Sequence, residues 1–392
     1  MNGLKVEDIL KLIPNEVLDS LAEETKVDRN VKKLKGKSLF QLFLLSLISS
    51  DRVSLRVMEN YYQSEQFKRL TGEDNGKTKY SSLSDRLRTV KSNYFEKIFY
   101  YLSKKLNELP GNKEPAKITR FDSTLITLSS KLLQVGKSTP IGSKKQIKFT
   151  VAYDKFPKDI KIFNNKSDAG SEEIALKKAI LEYSDVREGI IVFDRGLSSR
   201  RTYRQFDEES IKFVTRLNDN TIYKVIEDRD LSPNLIRDKN LEITNDLEVQ
   251  LGIKGTKWLD HKFRLIMATS KSGDKPLLFL TNIRDLSAED IAEIYKKRWD
   301  IEVFFRFIKQ ELSAKHFISR DLNGIAVTIY MIMILATMLL IYKLSNQLPG
   351  YKHVKIQFKQ ELEMEIIKDI IVFCGGNPSK LAQKDGRKPL WG

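Results

Sequence analysis

The stretch "GIIVFDRGLSSRRTYRQFDEE" (189–209) joins a short apolar run to a helix-forming run. Its first part is rich in β-branched residues and has no alternation, which is typical of a strand buried on both faces. Asp194 ends this strand, and "SSRRTYRQFDEE" (198–209) then begins a helix. Strands that alternate with helices build α/β proteins, so this stretch predicts a sheet covered by helices.

The regions before and after this stretch have different patterns of apolar residues. Residues 1–115 have apolar spacings of three and four, which predict helices, and "TKYSSLSDRL" supplies serines fit to cap one of them. Short β-branched or alternating runs predict strands between 118 and 163 and again between about 215 and 283. "SAEDIAEIYKKRWDIEVFFRFIKQEL" (287–312) predicts one long helix. The expected class is α/β (α+β), with three domains: 1–115, 116–345 and a helical, basic tail, 346–392.

Charge and cysteine content limit the classes of function. The chain of 392 residues has 68 Lys and Arg against 52 Asp and Glu, a net charge of +16. This excess favours a polyanionic partner, either nucleic acid or an anionic membrane surface, although a merely lysine-rich protein has the same composition. One cysteine excludes an intramolecular disulfide, and three histidines argue against a zinc site. The N-terminus does not have the pattern of a signal peptide, so the cell interior is expected.

One apolar segment has two interpretations. Residues 325–342 run eighteen positions without a charged side chain, which meets the lower length limit for a membrane span. A helix that is apolar all round is also typical of a large protein core. Because this segment is the only one of its kind and contains two threonines, we favour the buried helix.

The predicted long helix carries a polar stripe. At 100° per residue, Tyr295, Arg298, Glu302 and Lys309 project within roughly 60° of one another, beside an apolar face. Such a stripe is also found on ordinary helix surfaces, where Arg–Glu pairs four residues apart are common. Taken alone, the stripe therefore assigns no function.

Two aspartates lie where predicted strands end or begin. Asp122 is in "RFDSTL" and Asp194 is in "IIVFDRG". Each could simply form a local turn. Side chains at the carboxyl ends of strands converge, however, and two Asp with Glu302 would make the oxygen-only set that hard divalent cations prefer. Carboxylates for metal beside cations for phosphate suggest phosphodiester chemistry.

These residues also match a known family. Tyr295, Arg298, Glu302 and Lys309 fit every residue and gap of a Y-(2)-R-(3)-E-(6)-K signature. This signature is typical of DDE transposases of bacterial insertion sequences, in the insertion-sequence-four group. The chain resembles that family over roughly residues 115–345, including the two Asp motifs. One departure is Leu197, where the family often has an aromatic residue.

The resemblance implies a fold and a chemistry. It implies an RNase H-like catalytic core with a strand-rich insertion at about 215–283 and a helical N-terminal DNA-binding domain. It implies Asp122, Asp194 and Glu302 as catalytic ligands of two Mg²⁺ ions, with Mn²⁺ as a substitute. Tyr295, Arg298 and Lys309 would then contact DNA.

The implied function is transposition. The protein would bind the terminal inverted repeats of an insertion sequence, cleave the double-stranded DNA and transfer the strand to target DNA. We expect a homodimer in the DNA complex and a cytoplasmic, nucleoid-associated protein without membrane attachment. The alternatives are another RNase H-like metal-dependent nuclease, a non-catalytic DNA-binding protein, and a membrane protein anchored by 325–342.

Two further features have an ordinary interpretation as well as a functional one. Trp258 could stack on an unpaired base or simply pack, and we do not assign it to the site. The segment "KSTPIGSKKQIK" (137–148) has four lysines and no acid, so it could contact a DNA backbone or be a solvated loop.

Overall fold

The computed structural model describes residues 3–72, 76–107, 117–127, 137–138, 145–163, 172–229, 241–253, 257–270, 276–314, 317–319 and 321–382. The α-helices are α1 (Val6–Leu10), α2 (Asn15–Thr25), α3 (Gly36–Ser49), α4 (Leu55–Tyr62), α5 (Glu65–Thr71), α6 (Tyr80–Thr89), α7 (Ser92–Asn107), α8 (Glu172–Leu181), α9 (Arg200–Glu208), α10 (Ala288–Lys296), α11 (Trp299–Glu311), α12 (Leu322–Ser345) and α13 (Tyr351–Phe373). The strands are β1 (Ile118–Thr127), β2 (Lys137–Ser138), β3 (Lys145–Tyr153), β4 (Pro157–Phe163), β5 (Ile190–Phe193), β6 (Lys212–Arg216), β7 (Tyr223–Arg229), β8 (Leu241–Gly252), β9 (Trp258–Ser270) and β10 (Leu277–Thr281). A short 3₁₀ helix, Pro378–Ala382, follows α13.

The chain divides into two compact units. The helical unit consists of Met1–Leu102 and Ile308–Gly392, and the sheet unit consists of Ser103–Phe307. The helices before and after the sheet therefore pack together. The predicted functional domains, 1–115, 116–345 and 346–392, stay a prediction, because a division by contacts assigns no function.

The sheet unit contains one mixed sheet, which agrees with the predicted α/β class. Its strand order is β2-β3-β1-β5-β6-β10-β9-β8-β7, and β4 pairs with β3. The three central strands β1, β5 and β6 are parallel, and the other pairs are antiparallel. The strand-rich interval after Asp194 thus extends the same sheet.

Alternation along the central strands gives the sheet two buried faces. Phe121, Phe193 and Phe213 pack on one face with residues of α8 and α9. On the other face, Val192 and Val214 pack with residues of α10. Because successive side chains of a strand point to opposite faces, fully apolar strands such as "IIVF" are what a sheet covered on both sides needs.

The predicted single helix over 287–312 is wrong. The structure has two helices, since α10 ends at Lys296 and α11 begins at Trp299. Between them, the carbonyl oxygen of Lys297 accepts a hydrogen bond of 2.7 Å from Nε of Arg120, a buried residue of β1. Nη2 of Arg120 also lies 3.1 Å from Oδ2 of Asp300. Arg120, which is far away in sequence, thus contacts the chain at the break between the two helices. The residues around the break include no glycine or proline that would predict it.

The break changes the predicted polar stripe. Tyr295 lies in α10 and Arg298 lies in the break, whereas Glu302 and Lys309 lie in α11. The projection of all four residues around one helix axis therefore does not hold. Their proximity has to be established from their contacts.

The apolar segment 325–342 forms most of α12 and is buried. Among the described residues, α12 is the one helix long and apolar enough to cross a membrane, and 94% of its apolar window is buried inside the protein. It packs against α1, α3, α6 and α13 of the same unit. The predicted burial of this helix is confirmed.

Candidate active site

Asp122 and Asp194 are neighbours across two parallel strands. In the register of β1 and β5, Phe121 lies opposite Phe193, and each aspartate is the next residue of its chain. Both phenylalanines point into the core beneath α8 and α9. Alternation therefore directs Asp122 toward the opposite face, which α10 covers. Burial and, to a smaller extent, the charge of Asp194 raise the pKa of Tyr295, a residue of α10.

A third strand adds a cation beside the two aspartates. Phe193 of β5 lies opposite Thr215 of β6, and the next residue of β6 is Arg216. Asp122, Asp194 and Arg216 therefore follow matched positions on three adjacent parallel strands. Asp194 and Arg216 lie at the carboxyl ends of β5 and β6, the usual location of ligand sites in α/β sheets, and Asp122 lies within β1 where its pairing with β5 ends.

Aromatic contacts hold α11 next to Asp122. Val151 of β3 is paired with Asp122, and the rings of Phe149 and Tyr153 lie on the same face of β3. Tyr153 stacks on Phe304 with ring centroids 4.8 Å apart, and Phe149 meets Phe305 edge-on at 6.3 Å. These contacts fix the helix that carries Glu302 over the strand beside β1.

Arg298 forms a hydrogen bond with Glu302 and lies beside the ring of Tyr295. Its Nη2 donates a hydrogen bond of 2.6 Å to Oε1 of Glu302, and its guanidinium lies 5.7 Å from the ring centroid of Tyr295. Burial opposes the charge of Arg298, but the bond to Glu302 and the fields of Tyr295, Glu302 and Asp122 outweigh it, so its pKa is raised. Arg298 thus stays charged among these side chains.

Tyr295 stays protonated. Burial raises the pKa of its phenol, and the charge of Arg298 only partly offsets that effect. Its ring packs against Phe279, with centroids 5.1 Å apart. At neutral pH Tyr295 is therefore a hydrogen-bond donor near Asp194.

Both aspartates accept hydrogen bonds from nearby backbone nitrogens, and the local turn that the sequence allowed is formed at Asp194 but not at Asp122, which lies within β1. Oδ1 of Asp122 accepts a hydrogen bond of 2.7 Å from the backbone nitrogen of Ser123. Oδ1 of Asp194 accepts one of 2.9 Å from the backbone nitrogen of Gly196. These bonds fix one oxygen of each carboxylate and so orient the side chain.

The carboxylates of Asp122, Asp194 and Glu302 are ligands that a hard cation prefers, but they do not form a complete metal site in this structure. Among the residues that the structure describes, no three His, Cys, Asp or Glu side chains are close enough to hold a metal ion. Asp122 and Asp194 are neighbours, whereas Glu302 is bonded to Arg298. Carboxylate oxygens are the ligands that Mg²⁺ prefers, so the donor set fits Mg²⁺. A complete site needs Glu302 to move from Arg298 toward the aspartates.

A polar pocket that the sequence did not predict lies next to Asp194. Its volume is about 210 Å³. Within the part of the chain that the structure describes, Nε of Arg200 and Nε of Arg216 are buried without a hydrogen-bond partner. Because Arg216 follows Thr215, the strand partner of Phe193, this pocket lies close to Asp194. The lining residues are Arg195, Ser198, Arg200, Tyr203, Arg216, Leu217, Asn218, Asn220, Thr221 and Leu251.

The remaining predicted features have varied positions. Lys309 is half-buried, lies in α11 and belongs to the helical unit. Leu197 is fully buried in the core, so it contributes no side chain to the site. Trp258 begins β9 and is 42% exposed. Of the segment 137–148, residues 139–144 lie outside the described residues, and the rest belongs to β2 and β3.

Comparison with known proteins identifies the family. The transposase DDE domain family matches residues 114–339. A protein of Sinorhizobium fredii that bears the name transposase y4zB is 28% identical over 254 residues, which are 65% of this chain and 68% of that protein. A protein of Geobacillus stearothermophilus, named as a transposase for insertion sequence element IS5377, is 23% identical over 77% of this chain and 75% of its own length.

A solved structure is similar in fold. It is the piggyBac transposase synaptic complex with hairpin DNA, with a TM-score of 0.51 and 13% identity, over 97% of this chain and 86% of that chain. The similarity confirms the predicted RNase H-like fold class. The family match, which covers more than half of the residues, leads to one conclusion. The chain belongs to the family of DDE-type insertion-sequence transposases.

Proposed function

We propose that this protein cleaves DNA at the ends of an insertion sequence and joins the freed ends to target DNA in a Mg²⁺-dependent reaction. The observation that carries the proposal is the placement of Asp122 and Asp194 after matched residues of adjacent parallel strands. Glu302 is the third member, on the helix next to β1. A site of this composition would hold two Mg²⁺ ions, with Mn²⁺ as a substitute.

In this proposal the three acids and Arg298 have different roles in the site. When bound, the ions supply an activated attacking oxygen and charge compensation at the scissile phosphate. Asp122 and Asp194 hold them from the sheet, each oriented by its bond to a backbone nitrogen. Arg298 holds Glu302 close by through its hydrogen bond until the ions are loaded. No side-chain nucleophile is needed, because water and the 3′-hydroxyl of DNA act as nucleophiles.

Cations around the acids bind the DNA backbone in this proposal. Arg298, Arg200 and Arg216 each have a buried Nε without a hydrogen-bond partner among the described residues. A buried donor of this kind is costly unless a ligand satisfies it. Phosphate oxygens match guanidinium groups in charge and geometry. Tyr295 donates its phenolic proton to a phosphate oxygen, and Lys309 adds a further charge.

The partners and location follow from this chemistry. We propose that the substrate is double-stranded DNA with terminal inverted repeats, bound in part by the helical N-terminal domain, 1–115. Two DNA ends require two active sites, so we propose a homodimer in the DNA complex. The protein would act at the nucleoid in the cytoplasm without membrane attachment, consistent with the burial of α12.

The test is an assay of nicking and strand transfer on DNA that carries the element ends, with and without Mg²⁺. Glu302→Gln, Asp122→Asn and Asp194→Asn should each lose activity by orders of magnitude and still bind the ends, because they keep their size but lose the charge that holds the cation. Double variants should be scarcely worse than single ones, since the residues act as a unit. Glu293→Gln, an exposed acid of α10, is the matched control. A folded Glu302→Gln protein that cleaves at the wild-type rate would contradict the proposal.

A further inference from the structure

The exposed face of α6 has an unusual composition. Its inner side chains, Leu83, Arg86 and Leu87, are buried. All of its outer side chains after Tyr80 are polar and short, except for one arginine, and all are exposed: Ser81, Ser82, Ser84, Asp85, Arg88 and Thr89. These groups donate or accept hydrogen bonds but cover no apolar surface.

This composition does not serve the helix itself. Serine, threonine and aspartate each cost a helix interior up to about 0.7 kcal/mol relative to alanine. The sequence suggested that the serines cap the helix, but α6 begins at Tyr80 after Lys79, and the side chain bonded to its first backbone nitrogen is that of Glu59. Ordinary solvated helix faces are rich in Glu and Lys, which are better helix formers. Helix stability therefore does not explain the exposed serines of α6.

Contacts from behind hold α6 rigidly with this face outward. The guanidinium of Arg86 donates to the backbone oxygens of Leu34 and Val27, both at 3.0 Å. At the other end of the helix, Nδ2 of Asn323 donates to the backbone oxygens of Leu87 and Val90. A side-chain array fixed in this way can recognise a pattern of hydrogen-bonding groups.

Lysine and arginine side chains lie around the N-terminal end of α6, together with Glu59, whose Oε2 accepts a hydrogen bond of 3.0 Å from the backbone nitrogen of Tyr80. Lys77 and Lys79 precede the helix and are exposed, and Arg56 is an exposed residue of α4, which packs on α6. The guanidinium of Arg56 lies 5.3 Å from the ring centroid of Tyr80. A polar helix face with cations beside its start is complementary to a DNA groove with phosphates on either side.

We propose that α6 lies in the major groove of double-stranded DNA and reads the sequence of the element ends. In this arrangement Arg88 and Asp85 contact base edges with the exposed serines, while Lys77, Lys79 and Arg56 contact phosphates. Arginine recognises guanine through two hydrogen bonds, aspartate accepts from cytosine, and serine contacts either base. This inference rests on the proposed function for the identity of the DNA.

The test compares binding to an element-end duplex and to a scrambled duplex of equal length, in EDTA so that no cleavage occurs. Arg88→Lys keeps the charge but loses the paired hydrogen bonds, so it should retain its affinity for scrambled DNA. Its preference for the end should fall about tenfold or more. Ser82→Ala, which favours the helix, should also lower the preference. Lys352→Ala and Gln357→Ala, exposed changes in α13 of the same unit, should leave the preference within about twofold.

The outcomes separate this inference from the proposed chemistry. If the Arg88 and Ser82 variants prefer element ends as strongly as the wild type, α6 does not read sequence, whatever the cleavage assay shows. A wild type without any preference for the ends overturns the inference as well. A wild type whose preference depends on α6 but which does not nick DNA in Mg²⁺ supports the inference and contradicts the proposed chemistry alone.

Discussion

Arg120 links the sheet to the helix that carries Glu302. It lies two residues before Asp122 on β1 and is only 4% exposed. Its guanidinium donates to the backbone oxygens of Lys297 and Asp154, at 2.7 and 3.2 Å, and forms an ion pair with Asp300. One side chain therefore fixes both the end of α10 and the start of α11 relative to the strand of Asp122.

Replacing Arg120 should destabilise the protein and impair the active site. Arg120→Met should lower the free energy of unfolding by about 2–4 kcal/mol, because it leaves buried carbonyl groups without donors. Arg120→Lys should recover only part of this loss, since an ammonium group cannot reproduce the planar fork. Urea denaturation measures the effect, and Arg187→Met, at an exposed arginine, is the control. A loss below about 0.5 kcal/mol would contradict the structural role.

The sequence revealed some residues of the site and not others, for a physical reason. Asp122 and Asp194 were predictable as neighbours, because side chains of adjacent strands converge at one edge of a sheet, although Asp122 lies within β1 and not at its end. Arg120 and Arg216 were not, since a lone arginine in a strand is most simply interpreted as a surface residue. Their importance depends on partners far away in sequence, such as Lys297, which lies 177 residues from Arg120.

At the scale of elements, composition predicted α12 better than it predicted α10 and α11. A helix apolar on every side has few environments available, so its burial could be inferred. The break after α10 depends on hydrogen bonds from another element, and periodicity alone continues through it. The same limit applies to the strands: their positions followed from β-branched runs, but their order in the sheet did not.

The close approach of β5 to β1 should depend on Gly189. A Cβ atom at this position would lie 2.1 Å from the backbone oxygen of Lys117, the group that accepts the first hydrogen bond between these strands. Gly189→Ala must therefore separate the strands that present Asp122 and Asp194. We expect a loss of roughly 2 kcal/mol or more in the free energy of unfolding. Cleavage should fall even where the variant is still folded.

Chemical denaturation checks the stability of Gly189→Ala, and nicking of element ends in Mg²⁺ checks its activity. Glu188→Gln, at the exposed preceding residue, changes only a surface ion pair with Lys117 and should cost about 0–1 kcal/mol. Stability and activity of Gly189→Ala equal to those of this control would mean that the strands tolerate the added carbon.

At the scale of the whole molecule, charge indicates the class of partner but not the binding surface. The net charge of +16 could be read from composition, and it favours a polyanion. Composition does not show where this charge lies. In the structure, one pocket beside Asp194 is lined by Arg195, Arg200 and Arg216. Arg195 and Arg200 of the stretch 189–209 are at least sixteen residues from Arg216 at the end of β6, so their convergence depends on the parallel pairing of β5 with β6.

The dependence of DNA binding on salt should report this charge. If phosphate contacts dominate the affinity, the logarithm of the binding constant should fall linearly with the logarithm of salt concentration, with a slope of about −0.9 for each contacted phosphate. Lys309→Ala should weaken binding to element ends and reduce the size of this slope by about one unit, because one fewer counterion is released. Lys11→Ala removes an equal charge from an exposed position outside the proposed DNA contacts and should leave the slope unchanged. Titrations by fluorescence anisotropy between 50 and 200 mM salt, roughly the range in which such contacts change affinity most clearly, measure both slopes. Equal slopes for Lys309→Ala and the wild type would show that Lys309 contacts no phosphate, and the signature lysine would then need a different role in the transposase.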